Sequence, residues 1–367
     1  MADIFDYLNW RGDIPFSQVP PTPVDGLIFS ALVYIDFADI VQPDLNSPIS
    51  LSKAAEAFLS MPETISRVRV KADLRLLEQA AQAPRFRDVK LSFYRNIYLP
   101  EEQTQFAAMV FSLDDGTDFL AFRGTDYSLV GWKEDFNMSF QDSVPAQREA
   151  ERFTEDFAAL ATRPLHLGGH SKGGNLAVFA GARCAPHVQQ RIRTIYNFDG
   201  PGFTEYMMGD AGYLRMVPKI QTYIPQSSII GMLLEHEEPY TVIKSSQVGI
   251  LQHELYSWDV MGGDFIHVEE VSAANKLADQ TVKDWVANLS RQERSRLVDA
   301  LYEILSSGGA DTVDDLIQPK YIRAILKALN TNTDARKLLT GELIQFLRSA
   351  GETVKRLHGP QEKLPSP

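Results

Sequence analysis

Leu165-His166-Leu167-Gly168-Gly169-His170-Ser171-Lys172-Gly173-Gly174-Asn175-Leu176-Ala177-Val178-Phe179-Ala180 decides how this chain is read. A short apolar run, Leu165 to Leu167, leads into Gly168 and Gly169 and reads as a buried strand meeting a tight turn. From Gly174 the residues are small and apolar and read as a helix. Between them stands G-x-S-x-G, Gly169 to Gly173. Strand, sharp turn with Ser at its tip, then helix is the setting of a nucleophile elbow. The glycines follow from the geometry. Ser171 must adopt a strained backbone, and side chains at 169 and 173 would collide with the neighbouring helix and strand. The turn also leaves the Lys172 N–H free at a helix N-terminus, where it can stabilise an oxyanion. A Gly-rich strand–helix turn can instead cradle a phosphate, and the pentapeptide alone does not separate the two.

Outward from the elbow, the strands come in order. Val89 to Leu99, Gln105 to Leu113 and Asp118 to Arg123 are strand patterns, and the Asp114-Asp115-Gly116-Thr117 turn makes the last two a hairpin. The third strand ends in Phe122-Arg123-Gly124-Thr125-Asp126, and a helix opens over Tyr127 to Phe136. Thr125 at that strand end reads either as an oxyanion donor or as the helix N-cap. A helix over Arg148 to Ala161 feeds the elbow strand. The next strand, Arg193 to Phe198, ends at Asp199-Gly200-Pro201-Gly202. Asp199 therefore lies at the carboxyl edge of the sheet, where α/β sites gather, unless it only stabilises its own turn. Gln221 to Ile224 and Tyr240 to Lys244 are further short strands.

A serine nucleophile needs a base, and in chain order the acid and then the histidine follow the serine. Of seven histidines, only His236, His253, His267 and His358 lie downstream of both Ser171 and Asp199. His253, in a loop after a strand pattern, is the best placed. Lys172 beside the serine reads as a solvated side chain, with attraction of an anionic substrate as the alternative. Ile229 to Leu234 reads as an ordinary buried segment, with an apolar lid or acyl pocket as the alternative.

At the N-terminal end, residues 1 to 23 read as a loose arm with a proline cluster, and Val24 to Tyr34 as a helix. Two more helical patterns occupy 51 to 82. From about residue 270 the texture becomes helical. Ala273 to Leu289 carries one apolar stripe. Ser290-Arg291-Gln292-Glu293 is a capping box opening a helix that stops at Gly308-Gly309. Tyr321 to Leu329 and Leu338 to Leu357 give two more. The expected organisation is a catalytic domain over 1–269, a helical module over 270–357 and a disordered tail over 358–367.

Bulk composition narrows the functional classes. The chain has 367 residues, 44% apolar and 23% charged, with a net charge of −12. That is the balance of a soluble globular protein, and the acidity argues against nucleic acid and against anionic membranes. Cys184 is the only cysteine, so no intrachain disulfide forms, which fits a reducing compartment. The N-terminus lacks the pattern of a secretory signal, and no stretch approaches 18 apolar residues. The expected location is the cytoplasm. No metal-ligand cluster or phosphate-binding loop motif is found, so no cofactor or metal is expected.

The segments AFRGTD, W-x-x-D-F at Trp132 to Phe136 and GHSKGGNLA together resemble the class 3 lipases. More closely, IFDYLNWRGD, GHSKGGNLA, NFDGPGF, IPQSSIIGMLL and QHELYSW resemble the Mbeg1-like (DUF2974) family, over roughly residues 1 to 270. The resemblance implies an α/β-hydrolase fold, a mostly parallel sheet flanked by helices. It implies Ser171 as nucleophile, His253 as base, and Thr125 with the Lys172 N–H as the oxyanion hole. One departure matters. Class 3 lipases carry the triad acid just before the Pro of the later strand, and here that segment, Gln221 to Pro225, has no carboxylate. Asp199, 28 residues after Ser171, is then the expected acid, with Glu235, Glu237 and Glu238 in reserve. The resemblance does not name a substrate; the activity expected from the ordered segments FRGT, GHSKG, NFDG and QHELYSW is cleavage of a small-molecule carboxylic ester through an acyl-enzyme. A thioesterase or acyltransferase would use the same residues. A protein that binds rather than catalyses, through the C-terminal helices to a partner or second copy, is the other reading.

Overall fold

The computed structural model describes residues 2–126, 128–226, 228, 230–269, 290–310, 320, 321 and 324. Its frame is an eight-stranded sheet: β1 (Ile49–Ser50), β2 (Lys90–Leu99), β3 (Thr104–Ser112), β4 (Asp118–Phe122), β5 (Leu165–His170), β6 (Ile192–Phe198), β7 (Ile220–Pro225) and β8 (Tyr240–Ile243). The strands neighbour one another in the order of the chain. Pairings from β1 to β4 are antiparallel, and those from β4 to β8 are parallel. Gly116, at φ 89°, makes the β3–β4 hairpin turn expected from Asp-Gly.

Strictly sequential order has a consequence for the helices. Right-handed crossovers that all step the same way deliver their helices to one face of a parallel sheet. Here α6 (Pro145–Leu160), α7 (Lys172–Arg183), α8 (Pro186–Arg191), α9 (Glu205–Met208) and α10 (Ala211–Met216) lie on that face. They share a core with Leu120, Phe122, Leu165, Leu167 and Ile195. The opposite face, with Phe119, Ala121, Tyr196, Phe198 and Tyr223, receives nothing from the crossovers. It is covered by α1 (Ile4–Arg11), α2 (Pro23–Leu32), α3 (Leu51–Leu59) and α4 (Lys71–Gln82). The result is an α/β-hydrolase fold, a mostly parallel sheet with helices on both sides.

The N-terminal arm is therefore not loose, contrary to its reading from the prolines. Ile4, Phe5, Tyr7 and Leu8 are buried, and Asp3 caps α1 with Asp6 in a capping box. The rest of the arm is fixed by Arg85. Its guanidinium donates to the Ile14 carbonyl at 2.7 Å, the Val19 carbonyl at 3.1 Å and the Pro20 carbonyl at 3.2 Å. It also binds Asp25 through both carboxylate oxygens, at 2.8 and 2.6 Å. The Arg85 and Asp25 side chains are fully buried. Prolines remove amide donors from the arm, and the carbonyls they leave are met by one arginine from after α4.

Of the C-terminal region, the helix announced by the Ser290 capping box is present as α11 (Arg291–Ser306), and the box forms as expected. It packs on α5 (Leu129–Asn137). Lys133 Nζ meets Asp299 Oδ1 at 3.0 Å and lies over the Tyr302 ring, and Arg294 donates to the Ser139 carbonyl at 2.7 Å. Leu129 packs with Ala310, Tyr321, Trp132 and Leu305. The helix expected over 273–289, the one over 338–357, most of 321–329 and the tail over 358–367 lie outside the described residues. Among the described residues, no helix is long and apolar enough to cross a membrane.

At the amino ends of the parallel strands a cavity of about 950 Å³ opens, lined among others by His166, Arg193, Tyr196 and Asp264. Burial pushes the His166 pKa down to about 4, and its Nδ1 has no hydrogen-bond partner. The folded imidazole thus stays neutral where the unfolded one, at about 6.5, takes a proton. Stability contributed by this neutral ring is present above pH 6.5 and is lost as pH falls toward 4. Melting curves from pH 7 to pH 4.5 are expected to show a shallower fall in Tm for His166→Phe than for the natural chain.

Candidate active site

The elbow is strained as its sequence requires. Ser171 sits at φ 59° and ψ −134° between β5 and α7, a region that L residues rarely occupy. Close packing explains why no side chain stands at 173. A Cβ there would lie 2.1 Å from the Phe122 carbonyl oxygen and 2.9 Å from the Gly124 nitrogen. The same contact brings the end of β4 against the start of α7. A Cβ on Gly124 would fall 3.2 Å from the Ser171 Cβ, so the loop carrying Thr125 borders the serine directly.

Thr125 is not the helix N-cap. That position belongs to Ser128, whose Oγ accepts the Gly131 N–H at 3.1 Å. The Thr125 hydroxyl instead donates to Asp135 Oδ2 at 2.5 Å. Its proton is thereby committed to a carboxylate on α5. The Lys172 N–H is at the first position of α7, where a helix has no internal acceptor to offer.

Asp199 follows β6 at φ 54° and is fully buried. It does not serve its own turn, since the Gly200 N–H goes to Asn197 Oδ1 at 3.0 Å. Asp199 Oδ2 pairs with His253 Nδ1 at 2.6 Å, and Asp199 Oδ1 accepts the Ser228 hydroxyl at 2.5 Å. Ser228 Oγ in turn accepts the Gly231 N–H at 2.9 Å. Both carboxylate oxygens are thus held, one of them by the imidazole. Of the reserve acids, the Glu238 carboxylate is bound by Tyr213, Thr222 and His236, while Glu235 and Glu237 meet Phe203 and Tyr213 through their backbones.

His253 ends a short 3-10 turn, Gly249–His253, with its side chain 24% exposed. The Ser171 N–H donates to the Phe198 carbonyl at 2.9 Å, one residue before Asp199. The His170 and His253 rings lie 4.6 Å apart. Ser171, Asp199 and His253 are therefore gathered at the carboxyl edge of β5 and β6. Among the described residues no hydrogen bond joins the Ser171 hydroxyl to His253.

A buried layer that the motifs did not announce stands behind His253. His170 Nε2 contacts the His253 carbonyl at 2.8 Å, and His170 Nδ1 faces the Tyr34 hydroxyl at 3.1 Å. A carbonyl only accepts, so Nε2 carries the proton and Nδ1 accepts from Tyr34. Burial, with the His253 ring and Arg69 nearby, drives the His170 pKa well below its ordinary value, consistent with that neutral tautomer. Arg69 binds Glu254 through two 2.7 Å bonds and stacks on Tyr34. Burial alone would raise the Glu254 carboxyl, but the Arg69 guanidinium outweighs it and holds it below its ordinary range. The loop bearing His253 is so fixed at the His253 carbonyl and at the next residue, Glu254. Only the His of G-H-S could have hinted at this. Arg69 and Glu254 are 185 residues apart and carry no local pattern.

Two readings of single segments need correction. The Lys172 side chain is not solvated. Its ammonium is buried and bound to Glu134 Oε2 at 3.0 Å, because it reaches from the start of α7 to Gln105 on β3 and Glu134 on α5. The segment after Ile229 is only half-buried, apart from Gly231. It lies against the acid, since a Cβ on Gly231 would come within 2.2 Å of Asp199 Oδ1.

Comparison with known proteins gives the following. No curated protein matches the sequence. Among solved structures, the lipase of Rhizomucor miehei in its propeptide complex is 14% identical with a TM-score of 0.36, over 51% of this chain and 72% of that one. M37 lipase is 14% identical with a TM-score of 0.36, over 56% and 68%. A variant of MDLA from Penicillium cyclopium is 14% identical with a TM-score of 0.38, over 69% and 87%. At sequence level a family model matches residues 80–303. The match begins later than the resemblance read from the motifs and extends through most of α11. With more than half of its length so matched, the chain belongs to the Mbeg1-like family.

Proposed function

We propose that this protein is a serine hydrolase that cleaves a carboxylic ester through Ser171, His253 and Asp199. The observation that carries this reading is the 2.6 Å Asp199–His253 pair beside a serine at φ 59°. Asp199 keeps the proton on His253 Nδ1, so Nε2 is the free base. His253 takes the Ser171 proton as the oxygen attacks the ester carbonyl. The tetrahedral oxyanion is stabilised by the Lys172 N–H and by Thr125, each donor contributing about 3 kcal/mol. Because the Thr125 hydroxyl is held by Asp135, its contribution comes through the backbone N–H. His253 then protonates the leaving alcohol, and water, deprotonated by the same imidazole, releases the acid. Thioesters and acyl transfer to another alcohol use the same steps and differ only in the leaving or entering group.

The test is labelling of the full chain with a fluorophosphonate probe, mapped by peptide mass spectrometry. Label on Ser171 is the expected result. A folded chain that takes up no label at Ser171 would leave the reading without a nucleophile.

A further inference from the structure

The residue after the nucleophile carries an ammonium that the chemistry above does not use. The Lys172 side chain is 1% exposed. It donates to the Gln105 carbonyl at 3.1 Å, Gln105 Oε1 at 3.0 Å and Glu134 Oε2 at 3.0 Å. Three donors thus meet three acceptors, and Asp135 Oδ1 lies at 3.7 Å. Glu134, itself fully buried, also accepts the Gln105 N–H at 3.2 Å and the Ala146 N–H at 2.8 Å. One carboxylate therefore joins β3, the start of α6 and the elbow.

Such a pair is not explained by stability. Removing two charges from water costs several kcal/mol each, and apolar residues of similar size hold two elements together as well or better. An ion pair has something apolar packing lacks, a fixed position. Here the fixed element is α5. Its next residue, Asp135, takes the Thr125 hydroxyl, and Gly124 borders Ser171. The chain of contacts runs from Lys172 to Glu134, along one peptide bond to Asp135, to Thr125, and back to the serine beside Lys172.

We propose that Lys172 is a positioning residue, which through Glu134 and α5 sets the Thr125 loop at the distance from Ser171 that an oxyanion requires. This rests on the serine-hydrolase reading for its catalytic consequence, but the placement of the loop is measurable without it.

Lys172→Met alone leaves Glu134 as an uncompensated buried charge and threatens the fold. The informative variant is Lys172→Met/Glu134→Gln, which removes both charges; its single amide oxygen keeps an acceptor for one of the Gln105 and Ala146 N–H groups, while its NH2 faces the other. Near-UV circular dichroism establishes that it is folded. With a p-nitrophenyl ester, kcat is expected to fall about 30-fold or more, with KM changed less than about 3-fold, because a misplaced donor acts in the transition state. Hydrogen exchange of the amides in 123–137 is expected to quicken. A folded double variant with kcat within about 3-fold of the natural chain, or with unchanged exchange over 123–137, would overturn the proposal. Should the natural chain hydrolyse no ester, the hydrolase reading falls and exchange alone decides the positioning role.

Discussion

Replacing Asp199 by Asn is expected to lower kcat on an activated ester by about 10⁴-fold with little loss of stability. The carboxylate is fully buried and has two duties. Oδ2 accepts from His253 Nδ1 at 2.6 Å and Oδ1 accepts from Ser228 at 2.5 Å. An amide fills the same space, but one of its two ends is a donor. If the NH2 end faces the imidazole, Nδ1 must become the acceptor and the proton moves to Nε2, which destroys the base. If it faces Ser228, that hydroxyl must turn, and the imidazolium formed during attack loses its counter-charge. Either arrangement disables the transition state while the ring stays in place. The control is Glu238→Gln. Its partners are Tyr213, Thr222 and His236, so kcat is expected to stay within about 3-fold. Steady-state kinetics on the two variants decide between them. A large loss with Glu238→Gln and a small one with Asp199→Asn would reassign the acid.

The largest expected effect on stability lies far from the site. Arg85→Met is expected to destabilise the protein by about 3–5 kcal/mol, a fall in Tm of about 5 °C. The substitution leaves the Asp25 carboxyl fully buried and without its guanidinium, supported only by Tyr7 at 2.9 Å and by Thr22. It also strands the carbonyls of Ile14, Val19 and Pro20. Arg85→Met/Asp25→Leu removes the lone carboxyl and is expected to recover part of the loss, though not the arm carbonyls. Differential scanning calorimetry on the three chains measures both. A single variant that melts within about 2 °C of the natural chain would mean that the arm is held by other contacts.

These two sites also mark where the sequence could be read and where it could not. The elbow was legible because its constraints are local. A strand, a serine that must sit at positive φ, and glycines that must let β4 and α7 touch all fall within ten residues. Asp199 was legible from its place at a strand end, although only the structure gives it to His253 rather than to its own turn, a duty that Asn197 takes. The arm was misread because prolines announce broken helix, whereas what holds it comes from residue 85. Lys172 was misread for the same reason. A lysine after the serine looks solvated until Gln105 on β3 and Glu134 on α5 are brought to its ammonium, and that meeting is a tertiary event. Arg69, Glu254 and Tyr34 left no trace at all, since their partners are scattered along the chain.

The strictly sequential order of the strands bears on how the site comes into being. No strand has to be inserted between two already in place. Each can be laid on the edge left by the one before, as the chain emerges during synthesis. The serine arrives at the end of β5 and the acid at the end of β6. Both are seated before the segment with His253 exists, and the base is last to dock, onto the ledge of Tyr34, Arg69 and His170. An unfinished chain would thus hold a strained serine and a buried carboxylate with nothing to take a proton. On the roles proposed here, nascent chains stay inert until the segment with His253, which follows β8, has docked.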